Sequence, residues 1–275
     1  MPRPSKRKAE STPSSSYKRQ RVSKKTYRRR LPAASRLHPE ASRFQAILRD
    51  PMKNWPPVQL VDSFRGATVP LVLSSTRSLM PNSLNDHAGL MFRPSLNNCF
   101  KNTTSVSGND ILVWDDNYSS HPEYDGLSDL QNSALRVRFL CAAIQLTYTG
   151  NADSRSGTIT YAFSNSPETI SSDGNSLPDM HMDSGITPIK NSGNTFVIRC
   201  FDRPGFIPIG NIASEYMNGC ILVVNGCDPK DILVRSKIYV ETIPDPSSIL
   251  ADSAKPSPAG PDPKVPYVSH SVKQD

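Results

Sequence analysis

Residues 135–149 read LRVRFLCAAIQLTYT, and this run decides the fold class. In its first half two kinds of side chain alternate: apolar Leu135, Val137 and Phe139, and basic Arg136 and Arg138. A period of two residues is typical of a β-strand with one buried face. At roughly 3.3 Å per residue the run spans about 50 Å, which is long enough to cross a whole β-sandwich.

The alternation changes phase in the middle of this run. In the second half the apolar side chains are Ile144, Leu146 and Tyr148, and the residues between the two halves are Cys-Ala-Ala at 141–143. A β-bulge shifts the buried face in this way, and so does passage through a core that is covered on both sides. We keep both explanations open.

Six further runs predict strands because they are rich in β-branched or aromatic residues and are bounded by Gly, Pro, Asn or Asp. They are ATVPLVLSS (67–75), ILVW (111–114), GTITYAFS (157–164), NTFVIRCF (194–201), GCILVVNG (219–226) and DILVRSKIYVETI (231–243). The last run predicts a polar face that carries Arg235, Lys237 and Glu241. Since few helix-period segments separate these runs, we expect an all-β antiparallel sandwich.

One short helix is predicted before the strands. The stretch PEASRFQAILRDP (39–51) places Ala41, Phe44, Ile47 and Leu48 three or four residues apart and is bounded by prolines. Its apolar stripe packs either against another subunit or against its own domain.

The two ends of the chain predict disorder. Residues 1–36 are poor in apolar side chains and dense in Ser, Pro, Lys and Arg, and residues 245–275 contain six prolines. We therefore divide the chain into a basic arm (1–36), a linker with the short helix (37–55), the sandwich domain (56–244) and a proline-rich tail (245–275).

Charge is distributed unevenly along the chain. Residues 1–50 carry 15 Lys or Arg against 3 Asp or Glu, a net charge of +12, whereas residues 51–275 carry 17 against 22, a net charge of −5. This asymmetry indicates an acidic polymer as the partner of the N-terminal arm.

Basic residues of the arm fall into clusters of the kind found in bipartite nuclear-import signals and arginine-rich nucleic-acid tails. The candidate nucleic-acid-binding residues are Lys6, Arg7, Lys8, Lys18, Arg19, Arg21, Lys24, Lys25, Arg28, Arg29 and Arg30. A generic solvated basic tail is the alternative interpretation. Because such an arm contacts phosphate, it does not distinguish RNA from DNA.

Acidic residues cluster after the ILVW strand: Asp115, Asp116, Glu123, Asp125 and Asp129. Carboxylates in one loop suit oxygen ligation of calcium, and the tentative calcium ligands are Asp115, Asp116, Asp125 and Asp129. The spacing is not that of an EF-hand, so a solvated acidic loop is the alternative.

Catalytic and metal-knuckle patterns are not found. The five cysteines include no CxxC pair, and the sequence lacks HExxH, GxSxG, Walker A and GxGxxG motifs. We expect no enzyme and no cofactor beyond calcium. We also see no secretory leader and no apolar run of membrane-spanning length, so we expect a chain that is made and remains in the cytosol before any nuclear import.

The order of these parts resembles the coat proteins of nodavirus-like and tombusvirus-like small icosahedral viruses and of related single-stranded DNA viruses such as bacilladnaviruses. The resemblance is carried by the basic arm, LRDPMKNWPPVQLVD (48–62), VRFLCAAIQLTYTGNADSRSGTITYAFS (137–164) and KIYVETIP (237–244). It implies an eight-stranded jelly roll, assembly of identical subunits into an icosahedral shell, an arm directed inward onto a single-stranded genome, and calcium held between subunits. It also implies a protein of the virion and the host cytoplasm. The import-signal pattern in the arm adds the host nucleus as an expected location and host import receptors as expected partners.

A nuclear nucleic-acid-binding regulator with a β-sandwich domain is the competing function. Such a regulator needs a basic reading face on its folded domain, whereas the part of this chain after residue 50 is net acidic. The charge distribution therefore favours the coat protein.

Overall fold

The computed structural model describes residues 38–61, 64, 66–79, 87–96, 99–107, 111–114, 124, 127–151, 157–164, 183–200, 205–209 and 218–258. These residues contain two α-helices, α1 (Pro39–Arg49) and α2 (Leu127–Ser133). They also contain eleven strands: β1 (Val69–Ser78), β2 (His87–Phe92), β3 (Phe100–Ser107), β4 (Ile111–Trp114), β5 (Ala134–Tyr148), β6 (Thr158–Ser164), β7 (Asp183–Pro188), β8 (Asn194–Arg199), β9 (Ile207–Pro208), β10 (Gly219–Asn225) and β11 (Ile232–Pro244).

The strands form two antiparallel sheets in jelly-roll order. One sheet has the order β1-β11-β5-β8, and the other contains β2-β10-β6-β7. The four pairs β1·β11, β2·β10, β5·β8 and β6·β7 are nested, as when a long hairpin is wound over itself. The predicted all-β, eight-stranded jelly roll is confirmed. Three further strands extend it, because β3 and β4 continue the second sheet beyond β2 and β9 pairs with the start of β5.

The long central strand β5 contains the predicted bulge. Tyr239 of β11 lies opposite Cys141, and the next residue, Val240, lies opposite Phe139, so Leu140 is the extra residue. Leu140 and Cys141 consequently both belong to the cluster on the outer side of the sheet, while Phe139 faces the main core. Both sides of β5 are covered here, so both explanations for the phase change are correct.

A second apolar cluster attaches α1 to the domain. Ile47 of α1 is fully buried against Leu140, Cys141 and Tyr239, on the face of the β1-β11-β5-β8 sheet opposite the inter-sheet core. Val58 completes the buried part of this cluster. Of the two placements considered for the helix, the described contacts are those with its own domain.

One expectation about the faces of β5 is wrong, because Leu135 does not share the core face with Val137 and Phe139. A second register shift in β5 turns Leu135 outward, 49% exposed, and puts Ala134 in the core, because Pro244 pairs with Ala134 and Ile243 with Arg136. Residues 245–258, which begin the predicted tail, lie against the domain. Asp245 N donates to the Ser133 carbonyl at 2.9 Å, which continues the path of β11.

The remainder of the predicted tail, residues 259–275, and the predicted arm, residues 1–36, lie outside the described residues. Among the residues that are described, no helix is both long enough and apolar enough to cross a bilayer.

Candidate nucleic-acid interface

The eleven basic residues predicted to bind nucleic acid all lie outside the described part of the chain: Lys6, Arg7, Lys8, Lys18, Arg19, Arg21, Lys24, Lys25, Arg28, Arg29 and Arg30. The structure does describe the segment that joins the arm to the domain. This attachment segment comprises α1 and residues 50–61. Its contacts fix the path of residues 38–61 on the domain.

Local sequence fixes the ends of α1. Pro39 occupies the first turn, and the His38 ring accepts a hydrogen bond from Glu40 N at 3.2 Å. Asp50 N closes the last turn on the Ala46 carbonyl at 3.1 Å, and Pro51 then prevents further helix. The helix therefore stops where the chain must turn onto the sheet.

Lys237 of β11 holds the turn after α1. Its ammonium donates to the carbonyls of Met52 and Lys53 at 3.0 and 3.1 Å and to Asn54 Oδ1 at 3.0 Å. Burial lowers the pKa of Lys237, the charge of Asp50 opposes this shift, and the neighbouring Arg235 adds to it. The three oxygen acceptors satisfy all the donors of the ammonium, so this lysine anchors the backbone of the attachment segment.

Tyr239 is a second anchor, two residues further along the same face of β11. Its hydroxyl donates to the Pro51 carbonyl at 2.9 Å, and its ring packs in the outer apolar cluster. Burial raises the pKa of Tyr239 to about 12, with the charges of Cys141 and Asp50 acting in the same direction. The hydroxyl therefore remains a donor throughout the physiological range.

A buried ion pair forms the third anchor. Arg138 of β5 donates from Nε and Nη2 to Glu241 Oε2 at 2.9 and 2.6 Å, and both side chains are 2% exposed. The same oxygen accepts Leu60 N at 3.1 Å, and the Thr68 hydroxyl donates to Glu241 Oε1. The Glu241 carboxylate on β11 thus joins the attachment segment to Arg138 of β5 and to Thr68, the residue before β1.

The C-terminal segment meets the attachment segment at this ion pair. Thr68 and Lys255 exchange backbone hydrogen bonds at 2.9 and 2.8 Å. Gln59 Nε2 donates to the Thr68 hydroxyl at 2.9 Å and to the Lys255 carbonyl at 3.0 Å. The Ser257 hydroxyl donates to the Phe64 carbonyl at 2.5 Å. These bonds are the physical reason why residues 245–258 are ordered despite their prolines.

Arg138 and Glu241 were expected on a polar face, and the structure buries both. Alternation along a single strand shows only which residues share a face, and here the chain before β1 covers that face. The signal that identifies the pair is the register, because Arg138 and Glu241 lie directly opposite each other on β5 and β11. That register includes a bulge, so sequence spacing alone does not give it.

The tentative calcium ligands are not brought together by any described contact. Asp115, Asp116 and Asp125 lie outside the described residues, and Asp129 lies in α2 with its side chain undescribed. No group of three or more His, Cys, Asp or Glu side chains that suits a metal ion occurs in the part of the chain that the structure describes.

Tyr124, which lies within this acidic stretch, is anchored in the core. It is 2% exposed, and its hydroxyl lies 3.2 Å from Ser236 Oγ of β11. Burial raises the pKa of Tyr124 well above its ordinary value. The pair satisfies a serine that faces the apolar interior and fixes Tyr124 at the centre of the sheet.

The cysteines are poor candidates for nucleophiles or metal ligands. All five are free thiols, and four are buried. Burial raises the pKa of Cys99 and of Cys141 to about 12, and it raises the pKa of Cys220 further. A thiol needs to ionise for either role, so these side chains act as small apolar groups.

No protein-family model and no curated protein sequence matches the chain. Solved structures of viral capsid proteins do resemble it. The VP2 subviral particle of infectious bursal disease virus aligns with a TM-score of 0.53 and 10% identity, over 80% of this chain and 90% of that chain. The Gt strain of the same virus gives a TM-score of 0.50 and 12% identity, over 80% and 89%.

Tobacco necrosis virus gives a TM-score of 0.40 and 8% identity, over 64% of this chain and 97% of that chain. At these identities the likeness establishes the fold, and the infectious bursal disease virus structures carry that conclusion. The chain has the jelly-roll fold found in viral capsid proteins.

Proposed function

We propose that this chain is the coat protein of a small non-enveloped icosahedral virus, which assembles into a closed shell and packages single-stranded nucleic acid through residues 1–36. The observation that carries the proposal is that one chain combines a capsid-like jelly roll with a strongly basic N-terminal segment. A jelly roll similar to that of the infectious bursal disease virus VP2 particle follows a segment in which residues 1–30 carry 12 basic residues and 1 acidic residue.

The arm binds by displacing the counterions that condense on phosphates. This requires many cations and no fixed geometry, so the arm accepts any sequence. If about 60 to 180 copies surround one genome, as icosahedral symmetry allows, arms of this charge bring several hundred to about two thousand positive charges inside. That total suits a genome of a few thousand phosphates.

The attachment segment supports the assignment of nucleic-acid binding to the arm and shell formation to the folded domain. Lys237, Tyr239 and Glu241 hold it on one sheet face, so every subunit presents its arm from the same place. A shell whose arms all leave from equivalent positions concentrates charge on one side. The proposal assigns no catalytic role to the chain, and it places the protein in the virion after synthesis in the host cytoplasm, with import into the nucleus through the basic clusters.

Electron microscopy of the purified recombinant protein tests the proposal. The full-length chain is expected to form closed particles that contain nucleic acid, as read from the ratio of absorbance at the nucleic-acid and protein maxima. A chain that begins at Leu37 is expected to form closed shells that contain little nucleic acid. Soluble monomers from both chains, across salt concentration and pH, would instead identify the nuclear nucleic-acid-binding regulator.

A further inference from the structure

The outer face of the β1-β11-β5-β8 sheet has two halves with different surroundings. The attachment segment covers the half around Tyr239 and Cys141. The other half runs along the strands from Lys237 to Leu233. Since Ile232, Val234 and Ile238 of β11 face the core, the odd-numbered residues between them face outward.

The register identifies the outward residues on all four strands, which we call the open face. Its members are Ser74, Thr76 and Ser78 of β1; Leu233, Arg235 and Lys237 of β11; Ala143, Gln145 and Thr147 of β5; and Thr195, Val197 and Arg199 of β8. Three of these twelve side chains are cationic, six are hydroxyls or amides, and none is acidic.

Arg235 lies at the centre of this face. Its neighbours across the sheet are Thr76 and Gln145, and Gln145 Nε2 donates to the Thr195 hydroxyl at 3.1 Å. Arg235 is exposed, and its charge contributes to the lowered pKa of Lys237. The two cations therefore reinforce one positive potential, and no residue of the open face neutralises it.

The open face is continuous with the attachment segment. Lys237 belongs to the face and also binds the carbonyls of Met52 and Lys53. Lys53 is exposed and lies 4.8 Å from the centre of the Trp55 ring. Together with the exposed Arg49 at the end of α1, Lys53 adds positive charge to this side of the sheet, while the exposed Asp50 removes part of it.

The centre of the outer side of the other sheet is apolar. Cys220, Leu222 and Val224 of β10 face the core, so Ile221 and Val223 face outward, and both are apolar and buried. Ala162 of β6 is also outward and fully buried. The centre of the open face, where Arg235 lies between Thr76 and Gln145, is therefore polar and cationic where the centre of the other sheet is apolar.

We propose that the open face is a second nucleic-acid site, which takes the phosphate backbone of the strand that the arm binds. The inference rests on the proposed packaging function and extends it to the folded domain. Arginine with serine and threonine hydroxyls contacts phosphate without reading bases. A contact with another protein copy would use aromatic or apolar anchors, and the open face offers only Leu233 and Val197 of intermediate exposure beside Ala143, which is buried.

The test uses the full-length chain and two charge-matched double variants. R199Q/R235Q removes two cations of the open face. K101Q/K255Q removes two cations elsewhere, one on β3 of the other sheet and one beside Thr68. Binding of labelled oligo-dT and oligo-rU is measured against salt concentration. We expect R199Q/R235Q to reduce the magnitude of the log–log slope by about 1.4 with both probes, since each phosphate contact to a single strand contributes roughly 0.7.

K101Q/K255Q is expected to retain the original slope, and both variants are expected to form closed particles. An unchanged slope for R199Q/R235Q would overturn the inference. The proposed function would survive that result if neutralising the arm in the full-length chain still abolished binding. Failure of R199Q/R235Q to close particles, with unchanged binding, would identify the open face as a contact between copies and would also overturn the inference.

Discussion

Arg138 and Glu241 lie opposite each other on neighbouring strands and form an ion pair of 2.6 Å that is almost completely buried. Removal of one charge leaves the other desolvated and unpaired, which typically costs about 3–5 kcal/mol. Glu241→Ala should therefore lower the free energy of unfolding by about that amount, measured by urea denaturation. Glu40→Ala is the control, because its partner Arg43 is exposed and such pairs contribute at most about 1 kcal/mol.

The same pair gives a double-mutant test. Glu241→Gln keeps an acceptor for Leu60 N but leaves Arg138 without its counter-charge. R138M/E241Q should be closer in stability to the original protein than E241Q alone, since no buried charge remains. If R138M/E241Q lost as much free energy of unfolding as R138M and E241Q lose in sum, the ion pair would not be the cause.

Lys237 should control the rigidity of the attachment segment. Lys237→Met removes three hydrogen bonds to residues 52–54, so trypsin is expected to cut more rapidly after Arg49 and Lys53. Cleavage is followed by mass spectrometry under native conditions. Lys230→Met, at an exposed position in a short 3₁₀ helix, should leave the rate unchanged. Equal rates in all three proteins would show that Lys237 does not anchor the segment.

Tyr124 and Ser236 should be energetically coupled. Tyr124→Phe leaves the Ser236 hydroxyl buried without this partner, and Ser236→Ala does the same to Tyr124, each at a cost of about 1–3 kcal/mol. The double variant should cost less than the sum of the two single variants. The readout is the free energy of unfolding, and strict additivity would count against the hydrogen bond.

Thiol reactivity should follow burial. Between pH 8 and pH 9 a disulfide reagent is expected to modify Cys200, which is partly exposed, before the buried Cys99 and Cys141. The folded pKa of Cys99 and of Cys141 is about 12, above the unfolded value of roughly 8.5, so burial favours the protonated form of both thiols. The unfolded chain loses these protons first as pH rises, so stability should fall from about pH 9 towards pH 12. Rapid modification of all five thiols in the native protein would contradict this order.

Calcium at subunit contacts remains a prediction from the acidic cluster Asp115, Asp116, Asp125 and Asp129. If these carboxylates hold the ion, a chelator should swell particles near neutral pH, because the unscreened carboxylates repel one another. Particle radius by light scattering and melting temperature measure this effect. Identical values with and without chelator would leave the cluster as a solvated acidic surface.

Most of the sandwich could be predicted from local patterns, and the missed strands show where such patterns fail. Each of the seven predicted runs contains a strand, and the spacing of Phe44, Ile47 and Leu48 located α1. Four strands were missed: β2, β3, β7 and β9. In β2 (HAGLMF) and β7 (DSGITP), Gly, Ala and Pro weaken the strand signal. Their neighbours β10 and β6 supply the pairing that their own sequences do not indicate.

The residues that anchor the attachment segment were less predictable, because their partners are distant in sequence. Lys237 and Tyr239 are ordinary residues of an amphipathic strand until the chain before β1 lies across them. The partners of Lys237 are 183 to 185 residues away in sequence. Contacts at such separation depend on the winding of the whole domain, and no local window contains both partners.

The nesting of the strands determines the order of events during synthesis. Val69 and Thr242, which pair at the start of β1, are separated by 173 residues. At about 5–20 residues per second, a ribosome needs roughly 10–35 s to make the chain between them. Throughout that interval the first sheet lacks a central strand, whereas the arm has already emerged. Under the proposed function, the basic arm is therefore available to nucleic acid before the domain that builds the shell is complete, so recruitment of the genome precedes closure of the shell.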